Sequence, residues 1–61
     1  MKPFAISVGT ETGLRLILAK FNTLTAADKA LPTYAEFNSP RVLEYDATIK
    51  RYKKYERIHN V

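Results

Sequence analysis

A chain of 61 residues without a single cysteine has few ways to hold itself together. At this length folding removes only about 60% of the surface that the unfolded chain exposes, so one hydrophobic core is marginal. Small domains compensate with disulfides, a bound metal or a partner. Here there is no disulfide and no thiolate for zinc, and the one histidine, His59, cannot hold a metal alone. No metal and no cofactor is expected. The staple that remains is association, with a second copy as a homodimer or with a larger molecule. The absence of thiols also suits a reducing, cytoplasmic setting.

Hydrophobic residues make up 46% and charged residues 26% of the chain, which separates it from disordered sequences. The longest apolar runs, such as Leu16-Ile17-Leu18-Ala19, are too short to span a bilayer. Residues 1–9 lack the continuous apolar core of a secretory signal. The expectation is one small domain over residues 1–61, in the cytoplasm, with no membrane partner.

The distribution of charge constrains more than its sum. The formal net charge is +4. Residues 50–57 carry Lys50, Arg51, Lys53, Lys54 and Arg57 against Glu56, and the preceding residues balance five bases with five acids. The whole excess lies near the C-terminus, a pattern that points to an anionic partner.

Along the chain, Phe4, Ile6 and Val8 alternate as in a short strand, and Gly9-Thr10-Glu11-Thr12-Gly13 is a break. Residues 14–24 fit two periods. Leu14, Ile17, Leu18, Phe21 and Leu24 make a helical stripe, whereas a strand reading leaves both faces apolar and makes residues 10–13 a hairpin loop. The helix is preferred. Thr25-Ala26-Ala27-Asp28 resembles a shortened capping box and starts a short helix to Leu31, which Pro32 ends. Tyr34 and Phe37 are spaced to pack together in the following loop or turn. Ser39-Pro40 offers an N-cap followed by proline at the first helical position, and no glycine or proline follows. The spacing predicts a helix from about 40 to 58.

The fold expected is therefore mostly α: a small helical domain with an extended N-terminal segment and a long C-terminal amphipathic basic helix. The alternative is α+β, an N-terminal β-hairpin at 3–8 and 14–21 plus two helices. The expected core is Leu14, Ile17, Leu18, Phe21, Leu24, Val42, Tyr45, Ile49 and Tyr52. Phe4, Ile6 and Val8 would form an exposed edge available for association, with Leu16 and Leu43 as exposed apolar residues off the stripes.

On the last helix, Lys50, Lys53, Lys54 and Arg57 would share the face opposite Val42, Tyr45, Ile49 and Tyr52. A solvated face or a dipole-complementing helix end accounts for such a cluster. The sharper reading is an anion-binding surface of Lys50, Arg51, Lys53, Lys54, Tyr55 and Arg57, cations for phosphate and phenols for stacking. Leu31-Pro32-Thr33-Tyr34-Ala35-Glu36-Phe37 followed by Thr48-Ile49-Lys50-Arg51-Tyr52 also bears a faint similarity to the DNA-binding repeat attached to some homing endonucleases. That resemblance implies a helix-turn-helix over residues 31–58. Tyr52-Lys53-Lys54-Tyr55 keeps the spacing of two aromatics but has neither the glycine nor the tryptophan that usually closes the repeat.

Catalytic groups are scattered. Glu44 and Asp46 would diverge on a helix, residues 9–13 lack the ending of a phosphate loop, and the core is too small for a substrate pocket. No enzyme and no small-molecule substrate is expected. Two functions remain: a small nucleic-acid-binding protein, or a protein-binding factor, inhibitor or accessory subunit, that docks on a larger machine by an acidic surface. A size-based prior places such chains among phage and mobile-element products. Salt separates the two functions, because a phosphate-dominated complex weakens steeply as salt rises.

Overall fold

The computed structural model of the protein describes residues 2–56. Four strands, β1 (Phe4–Gly9), β2 (Arg15–Phe21), β3 (Arg41–Asp46) and β4 (Arg51–Lys54), form one antiparallel sheet in the order β2-β1-β3-β4. One short helix, α1 (Leu24–Ala30), runs into a 3₁₀ turn over Leu31–Tyr34. The mostly-α expectation is overturned: the described residues are predominantly sheet. The N-terminal hairpin of the alternative is present, but the second helix of that alternative is absent from the described residues.

The glycine-rich break closes the hairpin. The Gly13 amide donates to the Thr10 carbonyl and the Thr10 amide to the Leu14 carbonyl, each at 3.0 Å. Gly13 takes φ +85°, the left-handed position that ends a three-residue hairpin loop. Leu18 is the extra residue of a bulge in β2, because Ile6 pairs with Ala19 while Ser7 pairs with Ile17.

β1 pairs on both sides and is buried on both faces, with Ala5, Ile6 and Ser7 fully covered. It is a central strand, so the exposed edge expected at Phe4, Ile6 and Val8 does not exist. Ile6 pairs with Val42 in register, and Ala27 of α1 seats on that pair. Phe4, Phe21, Leu24, Ala30, Leu31, Tyr34 and Tyr55 pack around this small core. A seven-residue helix is too short to persist alone, so α1 is held by this contact and by its cap. That cap is Thr23, whose hydroxyl accepts from the Ala26 amide at 3.1 Å, two residues before the Thr25 start read from the sequence. Tyr34 and Phe37 do pack, with ring centres 5.9 Å apart.

The long C-terminal helix is replaced by β3, a turn and β4. Ser39 caps nothing: it stands at φ +48°, and Pro40 leads into a strand. The Asp46 carboxylate accepts from the Thr48 amide at 2.8 Å, a local turn that competes with helix just where the helix would have to continue. Lys50 then takes φ +56° to reverse the chain. The helix-turn-helix implied for residues 31–58 is absent with it. The expected core changes accordingly. Leu14 (72%), Ile17, Leu18 and Ile49 (47%) are exposed, and Tyr45 and Tyr52 are half-buried on the side of the sheet away from α1. Val42, Phe21 and Leu24 keep their core positions.

Truncating Ile6 to Ala should cost ~2–5 kcal/mol and unfold a domain this small. Ile49→Ala, in the exposed turn, should stay within ~0.5 kcal/mol of the parent. Urea titrations of the two variants check the assignment.

Candidate nucleic-acid interface

Side chains alternate across a strand, so the residues between those of the core define a second face. Ile6 and Val42 meet α1. Ala5 and Ser7 of β1, and Arg41, Leu43 and Tyr45 of β3, therefore occupy positions on the opposite face. Register extends it: Lys20 pairs with Ala5, Ile17 with Ser7, Tyr52 with Tyr45 and Lys54 with Leu43. Lys20, Ala5, Leu43 and Lys54 thus form one row across all four strands. No element covers this face among the described residues.

Contacts across the face bear the register out. The rings of Tyr45 and Tyr52 meet edge to face at 5.4 Å. The Lys20 ammonium lies 5.4 Å from the centre of the Tyr52 ring, although the two residues sit on opposite edge strands. The small Ala5 between them leaves room for that crossing. The Tyr52 hydroxyl donates to the Lys2 carbonyl at 2.6 Å and holds the ring over the sheet. At the other end, Arg15 folds over Ser7, its Nε donating to the Ser7 hydroxyl at 3.2 Å and its Nη2 to the Ser7 carbonyl at 2.9 Å and to the Ser39 carbonyl. Burial and then the nearby Arg41 push the Arg15 pKa down from its ordinary value.

Arg15, Lys20, Arg41 and Lys54 all occupy the open face. The strand acids, Glu44 and Asp46, alternate to the helix side. The open face therefore carries four cationic positions and no acidic one among the described strand residues.

The cluster expected from the sequence is split by the same alternation. Lys54 lies on the open face. Lys53 lies on the helix side and pairs with Asp46 at 3.3 Å. Arg51 faces Asp46 in register, and Lys50 is in the turn. Tyr55 packs edge-on against Phe4, ring centres 6.1 Å apart, as part of the core. Arg57 and His59 lie outside the described residues. A helical period over residues 40–58 left Arg41 out and set Tyr45 in the core, while Arg15 and Lys20 lie on β2, a different segment joined to the face only by sheet register. The signal was in Arg41-Val42-Leu43-Glu44-Tyr45-Asp46, where a basic, an aliphatic and an aromatic residue alternate with a valine and two acids.

At the β3–β4 end a depression is lined by Glu44, Lys53, Lys54 and Glu56, so Lys54 lies at the margin of the open face beside two acids. No group of three potential metal ligands occurs among the described residues, and none of their helices is long and apolar enough to cross a membrane. Comparison of the chain with protein-family models, curated proteins and solved structures returns no match.

Asp46 gives the β3–β4 hairpin a pH dependence. Chiefly the hydrogen bond from the Thr48 amide, helped by Lys53 and opposed by partial desolvation, lowers its pKa from the usual 3.8. A depressed carboxylate adds stability that is complete above its unfolded value and lost as pH falls through the folded one. Stability should therefore decline below about pH 4, and Asp46→Asn should flatten that decline in acid titrations followed by circular dichroism.

Proposed function

We propose that the protein binds single-stranded nucleic acid on the open face of its sheet. The observation that carries this reading is the sorting of charge: Arg15, Lys20, Arg41 and Lys54 share a face with the Tyr45–Tyr52 pair, while the strand acids lie on the other side. Cations that track a backbone and rings that stack bases are the two elements of single-strand recognition. A sheet platform suits unpaired bases, which can splay onto it, better than a duplex whose bases are stacked internally.

The chemistry is binding rather than catalysis, since long cations and phenols dominate the face. In the free protein Lys20 lies over the Tyr52 ring. An exposed cation–π contact contributes about 0.5–1 kcal/mol, and stacking a base contributes about 1–3 kcal/mol. A base therefore displaces Lys20 from the ring and leaves its ammonium to meet a phosphate. Cytoplasmic residence, where such strands occur, accords with this role.

One observation favours docking on a protein instead. Leu14 (72% exposed), Leu16 (53%), Ile17 and Leu18 cluster on or beside the edge strand β2, an apolar edge that a partner strand or a second copy could extend. The bulge at Leu18 and the charge of Lys20 blunt that edge, so nucleic acid is the first reading.

Fluorescence anisotropy with labelled oligothymidylate, titrated over salt, separates the two. Binding should weaken steeply with salt, and Lys20→Gln with Lys54→Gln should reduce the slope of log K against log salt by about 1.4, two contacts at roughly 0.7 each. Lys50→Gln with Lys53→Gln, which removes the same charge off the face, should change the slope less. A larger effect from the second pair would place the interface on the turn, and salt-insensitive capture of a protein with no oligonucleotide binding would favour the docking factor.

A further inference from the structure

We infer that Arg15 and Arg41 form a phosphate-binding fork over Ser7, separate from the tyrosine platform. The inference rests on the single-strand reading and assigns one contact within it.

Arg41 pairs with Ser7 in register from β3, and the Arg15 guanidinium bonds to Ser7 from β2, so two arginines flank one buried serine of the central strand. The like charge of Arg41 is felt at Arg15. No carboxylate ion pair joins either arginine among the described residues. Two adjacent cations without an acid are a cost that an anion relieves.

The fork is also preorganised. Arg15 is held by the Ser7 hydroxyl, the Ser7 carbonyl and the Ser39 carbonyl. The last of these comes from a residue at φ +48°, a conformation that non-glycine residues seldom take. Its Nε and Nη2 are used in these bonds, and its Nη1 has no hydrogen-bond partner among the described residues. Arg41 is exposed and likewise unbonded by its side chain among the described residues. Arg15, fixed by these oxygens, loses less freedom when a phosphate arrives at its Nη1, and the unbonded Arg41 guanidinium can donate two parallel bonds where lysine offers a point charge. Arg41 and Tyr45 are four residues apart on β3, about 13 Å along the strand. The phosphate at the fork thus belongs to another nucleotide than the base on Tyr52, and the bound strand runs obliquely across the sheet.

The test changes Arg41, because Arg15 also ties the Ser39 segment to β1. Oligothymidylate binding is measured for the parent, Arg41→Gln and Arg41→Lys, each first shown folded by thermal melting. The Arg15 Nε–H resonance is followed while oligothymidylate, and separately inorganic phosphate, is added. Arg41→Gln should weaken binding about tenfold or more and reduce the salt slope by about 0.7. Arg41→Lys should restore the slope but not the affinity. The Arg15 resonance should move with either ligand in the parent and much less in Arg41→Gln. Unchanged affinity and slope with a stationary Arg15 resonance would overturn the fork while leaving the open-face reading in place. No oligothymidylate binding, with inorganic phosphate still moving Arg15 in an Arg41-dependent way, would retain the fork as an anion site and overturn the nucleic-acid reading. Silence with both ligands would overturn both.

Discussion

Everything in this fold leans on β1. The strand is hydrogen-bonded to β2 and β3 and buried on both faces, and Ile6 carries the contact with Val42 and Ala27 that holds α1 to the sheet. A chain this short has no second layer to fall back on. Without disulfides, the cooperative unit is the sheet built around one strand, with a short helix that persists because its alanine lies flat on that strand's isoleucine. The small size of Ala27 matters as much as the bulk of Ile6, since it allows the helix to approach closely.

The two faces of β1 are built to different rules. Toward α1 it places Phe4, Ile6 and Val8. Toward solvent it places Ala5 and Ser7, small residues that are nevertheless fully covered. Taller neighbours close over them: Lys20 is opposite Ala5, and Arg15 folds onto Ser7. The result is an open face whose middle is closed over by long cations and flanked by tyrosines. Charge sorting follows from strand alternation. Glu44 and Asp46 fall on the helix side, where Asp46 serves the turn and Lys53, and the other face is left with cations.

Arg15 unites structure and proposed function. Its bonds to Ser7 and Ser39 fasten the segment before β3 to the central strand, and the Gly9 amide donates to the Asn38 carbonyl beside them at 2.7 Å. A Cβ at Gly9 would come within 3.1 Å of the Asn38 side-chain nitrogen, a tight contact that this exposed side chain would have to yield to. A guanidinium committed through Nε and Nη2 and open at Nη1 is positioned before any ligand arrives, which reduces the entropy lost on binding.

The sequence by itself determined the absence of covalent staples, the excess of cations, the break at residues 9–13 and, within two residues, the short helix before Pro32. Each is a local property, set by composition, by a left-handed glycine or by a cap. The sequence also offered the N-terminal hairpin, but only as an alternative, because Leu14 to Phe21 suits both periods. What the tertiary structure decided was the state of residues 41–54 and which cations share a face. Val42, Tyr45, Ile49 and Tyr52 fall at helical spacing, while Arg41, Leu43 and Tyr45 also alternate as a strand. Over so few residues the two periods overlap, and local propensity cannot separate them. Pairing with β1, distant in the chain, and the Asp46 turn settle it in favour of strands. That choice moves Lys53 and Tyr55 to the helix side of the sheet and brings Arg15, Lys20, Arg41 and Lys54 together from three separate segments. A face assembled across strands has no counterpart in linear spacing, because its neighbours are set by register rather than by distance along the chain.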